Sequence, residues 1–222
     1  QNNNRKKARQ KITKRFSSRY PKFRKKWVQY YLDLLQNKRI VTYKEKIPRE
    51  LSKKYLLGLD RQLDFLTELN NGENGYSNQL FIKRAKIAVL GLGSVSHYTI
   101  LPLIASGVGF FRCVDFDLIE ERNIGRQPIF RSEDVGKLKT KAVSEFIKNS
   151  RHGIRVETVN KKLQNEKDIE LVVRDCNVVI QCCDLPRFII HRWINNVCLR
   201  LDKPNILVYS GRVGPFNIPH QT

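Results

Sequence analysis

The chain has 222 residues, 41% of them hydrophobic and 28% charged, with a formal net charge of +21. That is enough for one full α/β core with a small appendage. No apolar run approaches the roughly 18–20 residues of a membrane span, and no signal-peptide pattern stands at the N-terminus. Cys113, Cys176, Cys182, Cys183 and Cys198 lie in apolar segments without any Cys-x-x-Cys spacing. Neither a zinc site nor a redox motif is therefore expected within these residues, and buried thiols in a reduced, cytoplasmic setting are. The charge is uneven. Residues 1–54 hold 19 of the 42 Lys and Arg against three acids, a net +16, while the other 168 residues carry +5. The chain has no Met and stops at Pro219-His220-Gln221-Thr222 without a closing element, so a fragment cut short at its C-terminus is expected.

In chain order, residues 1–26 are polar and densely basic and are expected not to fold alone. Trp27–Leu35 reads as a short helix with one apolar face, and Pro48 breaks the pattern. A second helix is predicted from Lys54 to about Leu69, followed by a turn over residues 70–75. The arm and helical segment are assigned to residues 1–54 and a nucleotide-binding domain to 55–222. From residue 85 strands are predicted at Lys86–Leu90, Phe110–Val114, Ile154–Val159, Val178–Cys182 and Asn205–Tyr209. Helices are predicted at Val95–Ala105, Lys137–Asn149, Asp168–Val173 and Arg187–Leu201. Short β-branched runs alternating with helices imply a doubly wound, mostly parallel Rossmann-like sheet with helices on both faces. Ligand is then expected beyond the strand ends, where strand order reverses.

Ile87–Ser96 is an apolar run entering a glycine turn, and Asp115 follows 22 residues beyond Gly93. Gly91 permits the sharp turn, and Gly93 lets backbone N–H groups approach a phosphate at a helix N-terminus. Asp115 falls where it can accept hydrogen bonds from a ribose. Ser96 takes the third glycine position, which is read as tighter helix–strand packing. An NAD-dependent oxidoreductase would share these features. Next come Asn123-Ile124-Gly125-Arg126-Gln127, then Gly136-Lys137-Leu138-Lys139, then Gln181-Cys182-Cys183-Asp184. Arg126 and Lys139 bring two cations towards strand ends that also carry Asp115 and Asp184. A dehydrogenase has no need of paired cations beside its pyrophosphate. A site that cleaves ATP between its α- and β-phosphates does, together with a carboxylate for magnesium. His97, His152, His191 and His220 show no ligand spacing.

This series resembles the ThiF/MoeB superfamily, which includes the ubiquitin-activating enzymes, over about residues 55–222. The pattern there is a glycine loop, Asp-x-Asp, Asn-x-x-Arg-Gln, Gly-x-x-Lys and a strand-terminal Asp. The resemblance implies that Gly91 and Gly93 frame the phosphate loop and that Asp115 binds the ribose. It also implies that Asn123, Arg126 and Gln127 line the triphosphate, that Lys139 pairs with phosphate and leaving group, and that Asp184 holds magnesium. Asp60-Arg61-Gln62 sits where family members carry an Arg that reaches the partner subunit's ATP, so Arg61 is a candidate catalytic residue. Residues 193–200 and 213–219 look most like the peptide-adenylating, MccB-like branch. In that branch a zinc half-site usually follows, so zinc ligands would lie outside this chain.

The activity implied is ATP- and magnesium-dependent adenylation of a carboxylate, the C-terminus of a peptide or ubiquitin-like protein, by a homodimer. Two other readings stay open beside the oxidoreductase. One is a non-catalytic scaffold presenting a peptide to a partner enzyme; the other is activation of a tRNA base. The basic arm is a solvated tail, a steering patch for an acidic substrate, or a nucleic-acid contact using Phe16, Tyr20, Phe23 and Trp27; the last is not favoured.

Overall fold

The structure, a computed structural model, describes residues 2–21, 24–37, 47–69, 75–209 and 212–215. The chain divides into two compact units, residues 1–48 with 61–78, and residues 49–60 with 79–222.

In the first unit α1 (Asn2–Arg19) packs on α2 (Lys25–Asn37). Residues 2–19, expected not to fold alone, are helical in α1 and pack on a neighbouring helix. The lysines and arginines of α1 are good helix formers, although the helix has no apolar face. The helix predicted over residues 54–69 is two helices, α3 (Lys53–Leu56) and α4 (Asp60–Leu69). Gly58 separates them at φ +76°, a left-handed conformation that ends a helix. The predicted turn over residues 70–75 lies mostly outside the described residues. The chain then forms α5 (Gly75–Arg84), which was not predicted.

The second unit holds a six-stranded sheet in the order β3-β2-β1-β4-β5-β6. β1 (Lys86–Leu90), β2 (Phe110–Asp115), β3 (Arg155–Asn160), β4 (Val178–Gln181) and β5 (Asn205–Tyr209) are parallel. β6 (Arg212–Pro215) is antiparallel to β5, with Pro215 opposite Ile206. β6 was not foreseen, because Gly214-Pro215 does not read as a strand; an edge position tolerates a proline. Alternation divides the core. Ile87, Val89, Phe111 and Cys113 face α6 (Ser94–Ala105) and α8 (Lys139–Ser150). Ala88, Leu90, Val114 and Val179 face α9 (Glu166–Val173) and α10 (Ile189–Arg200). The sheet is thus covered on both faces, as the β-branched runs imply. Below it, Gln79 donates to the Tyr55 hydroxyl at 2.8 Å, and that hydroxyl donates to the Gly107 carbonyl at 2.6 Å.

Four helix starts lie two residues from prediction, α2 and α9 earlier, at Lys25 and Glu166, and α8 and α10 later. α8 begins at Lys139 rather than Lys137. The Gly136 N–H is bonded to the Ile119 carbonyl at 2.8 Å and the Ile119 N–H to the Lys137 carbonyl at 2.9 Å. Residues 136–138 therefore form a small ladder with 117–119 in place of a helical turn. α10 begins after Phe188, which sits at φ 64°, outside the helical region. No helix among the described residues is long and apolar enough to cross a membrane.

Candidate active site

β1 and β4 are neighbours whose connections leave in opposite directions, so the strand order reverses between them. At their C-terminal ends lies a cavity of about 370 Å³, lined among others by Gly91, Gly93, Asp115, Arg126, Gln127, Lys139 and Asp184. This is the position where open α/β sheets bind ligands.

The glycine turn has two different reasons for its two glycines. Gly91 has φ +89°, and a Cβ there would lie 2.7 Å from the backbone nitrogen of Cys183. Gly93 has an ordinary φ of −80°, and a Cβ there would meet no atom within 4 Å. Gly91 is needed by the protein itself, whereas Gly93 leaves open space in front of α6. That helix begins at Gly93 without a side-chain cap, so its positive end borders the cavity. Ser96 is fully buried and donates its hydroxyl to the Gly93 carbonyl at 2.7 Å, which accounts for a serine where the fingerprint has glycine.

Asp115 ends β2 and ties the turn together. Its Oδ2 accepts from the Leu92 N–H at 2.6 Å, and its Oδ1 accepts from the Phe116 and Asp117 N–H groups at 2.7 and 2.8 Å. Arg126 is exposed and reaches back to the turn, donating to the Ser94 hydroxyl at 2.5 Å. Gln127 is 1% exposed, and its Oε1 has no hydrogen-bond partner. A buried acceptor in that state is costly, and its residue borders the cavity. Asn123 does not line the cavity. Its Oδ1 accepts from the Glu120 N–H at 2.9 Å, and its carbonyl accepts from the Arg126 and Gln127 N–H groups. It builds the turn that presents those two side chains.

Lys139 opens α8 with a side chain 9% exposed, paired to Asp117 at 2.7 Å. Asp117 is a site residue that sequence reasoning left without a role; the Asp-x-Asp spacing was its only signal. Lys161 also borders the cavity and was missed; it is paired with Asp168 at 2.6 Å. Asp184 follows β4 and is exposed. Beneath it Gln181 bonds Asn205 at 3.0 Å and His191 at 3.0 Å, fixing the strand end. Arg61 is an exposed residue of α4 in the first unit.

All five cysteines are free. Burial pushes the Cys182 and Cys183 thiols up to about 12, so neither is a thiolate at neutral pH. Among the described residues no cluster of three His, Cys, Asp or Glu could hold a metal ion. A lone Asp184 suits magnesium only as an ion carried largely by phosphate oxygens. For a nucleoside triphosphate the fit is better. Open space stands at Gly93, three cations (Arg126, Lys139 and Lys161) and an unpartnered Gln127 acceptor border the cavity, and Leu163 and Val114 supply an apolar wall.

Comparison with known proteins agrees. Residues 59–222 match the model of the ThiF family. The chain is 28% identical over 147 residues to the adenylyltransferase and sulfurtransferase UBA4 of Meyerozyma guilliermondii, covering 64% of this chain and 34% of that protein. It is 29% identical over 149 residues to the sulfur carrier protein adenylyltransferase of Thermus thermophilus, covering 65% and 54%. The chain thus spans between about a third and a half of the length of these curated relatives. Among solved structures, E. coli MccB with AMPCPP and MccA superposes with a TM-score of 0.68 at 25% identity, over 89% of this chain and 57% of that one. A glycine turn, a strand-end acid and two cations at the switch point of such a sheet, in a sequence matched from residue 59 onward, place this chain in the ThiF family.

Proposed function

We propose that the protein is an ATP-dependent adenylyltransferase that activates the C-terminal carboxylate of a peptide or ubiquitin-like protein. The observation that carries this reading is the convergence of Arg126 and Lys139 on the cavity beside the Gly91–Gly93 turn. A carboxylate is already ionised at neutral pH, so the attack needs no general base. One carboxylate oxygen bonds to the α-phosphorus, the bond to the bridging α–β oxygen breaks, and pyrophosphate departs with that electron pair. Arg126 and Lys139 receive the charge on the leaving group, and the N-terminus of α6 receives that on the α-phosphate. Asp115 orients the ribose through lone pairs left over from its backbone bonds. Magnesium held at Asp184 would supply further neutralisation of the phosphates. UBA4 and the Thermus relative are adenylyltransferases by name, which supports the same class here.

In this reading residues 55–222 form the adenylation domain, residues 1–54 an appended arm, and two copies pair so that Arg61 reaches the partner's nucleotide. The five free cysteines, three of them buried, support a reducing, cytoplasmic setting. The test is exchange of labelled pyrophosphate into ATP, with acidic and neutral peptides ending in a free carboxylate. Exchange that needs both peptide and magnesium, and is lost in Arg126→Ala, is expected. ATP binding without exchange for any free-carboxylate peptide would overturn the enzyme in favour of a presenting scaffold.

A further inference from the structure

The first unit carries a surface that adenylation does not use. Lys14, Arg15 and Arg19 on α1, and Arg24, Lys25 and Lys26 at the start of α2, are exposed. None of the six forms an ion pair with a carboxylate among the described residues. Aromatic rings stand between them. Phe16 and Tyr20 are four residues apart on one helix face and are 40% and 45% exposed, with centroids 4.9 Å apart. Trp27, Tyr30 and Tyr31 are 49%, 56% and 54% exposed, with Trp27–Tyr30 at 6.1 Å and Tyr30–Tyr31 at 5.6 Å.

Two requirements follow for a partner. The cations need an anion, and any acidic surface would serve. Rings left 40–56% exposed offer flat apolar faces as well. An acidic peptide supplies carboxylates, but a flat ring only where its sequence happens to hold an aromatic residue. An anionic membrane needs cations along the polar face opposite an apolar one; α2 has an apolar face, but its only cations, Lys25 and Lys26, stand in its first turn, and α1 shows no segregation at all. A single strand of nucleic acid supplies phosphates and unstacked bases side by side, and grooves that bind it combine cations with stacking rings. We propose that the α1–α2 pair is a binding surface for single-stranded nucleic acid.

The test uses the whole chain and a fluorescein-labelled, mixed-sequence 20-nucleotide RNA, followed by anisotropy from 50 to 300 mM KCl. With about five to seven phosphates neutralised, log K is expected to fall with log salt at a slope of about −4, a loss of order a hundredfold between 50 and 200 mM. Replacing Trp27, Tyr30 and Tyr31 together by Ala is expected to weaken binding at least tenfold at fixed salt while leaving the slope unchanged. Replacing Arg24, Lys25 and Lys26 by Gln is expected to flatten the slope by about 2. The proposal is overturned if no binding occurs at 50 mM KCl, or if affinity is indifferent to salt. It is also overturned if the aromatic triple variant binds as the wild type does. Displacement of the RNA by polyglutamate or phosphatidylserine vesicles at equal charge would assign the surface to those partners instead.

Discussion

Lys139 is already engaged before any nucleotide arrives. Its ammonium is held at 2.7 Å by Asp117, whose side chain is 46% exposed. With its carboxylate half in water and only the ammonium buried, the pair contributes about 1 kcal/mol, while a cation aimed at a departing pyrophosphate contributes about 3–4 kcal/mol to the transition state. The triphosphate should therefore win the exchange, and Asp117 acts as a competitor that holds the ammonium in place meanwhile. Asp117→Asn is expected to tighten ATP binding by up to about fivefold, read by calorimetry. Lys139→Ala should lower kcat/KM for pyrophosphate exchange by roughly 10²–10³-fold. If Asp117→Asn proved as damaging as Lys139→Ala, Asp117 would be a builder of the site and not a competitor. His97 gives a second prediction. It is fully buried, its Nδ1 accepts from the Ile129 N–H at 3.1 Å, and its ring meets Phe130 edge-on. Burial lowers its pKa to about 4. The folded protein thus binds fewer protons than the unfolded chain between about pH 6.5 and 4, so stability falls as pH falls through that window. The loss is expected to reach about 3 kcal/mol in urea unfolding. A His97→Gln variant with an equally steep acid limb would place the effect elsewhere.

At the scale of elements, the glycine turn separates fold from function. Gly91→Ala combines a left-handed φ with a backbone contact of 2.7 Å to Cys183, so strain and overpacking together should cost about 2–4 kcal/mol. Gly93→Ala meets neither obstacle and should leave the melting temperature nearly unchanged while weakening ATP at least tenfold. A Gly93→Ala protein that melts early but binds ATP normally would reverse that assignment. The turn and the bounds of β1 and β5 were legible because apolar period, β-branching and glycine act within a few residues. Asp117 was not, since its partner stands 22 residues away and the ladder joining residues 117–119 to 136–138 has no signature in either segment. Gly58 was legible in principle, as a glycine inside a helical pattern. Asn123 was legible as a motif member, yet only the fold shows that its side chain caps a helix and leaves the cavity to its neighbours. β6 stayed hidden because an edge strand containing Gly-Pro follows pairing and not propensity.

At the scale of the whole second unit, the cavity joins two halves of one sheet. Asp115 comes from β2 and Arg126 and Lys139 from the segments after it, whereas Cys183 and Asp184 come from beyond β4. A ligand that touches both sides binds only the assembled sheet, so its affinity adds to global stability by mass action. At a hundred times its Kd, ATP should add about 2.7 kcal/mol. For a chain of this size that raises the melting temperature by roughly 5–11 °C. AMP reaches Asp115 and the glycine turn but offers nothing to the two cations, and its shift at the same concentration should be much smaller. In Arg126→Ala the gap between ATP and AMP should shrink, since in the proposed reading that arginine takes the charge of the departing pyrophosphate, which AMP lacks. Equal shifts for ATP and AMP in the wild type would mean that the cations do not hold the triphosphate tail. The cavity would then be a mononucleotide site, and adenylation would lose the step that these residues are placed to assist.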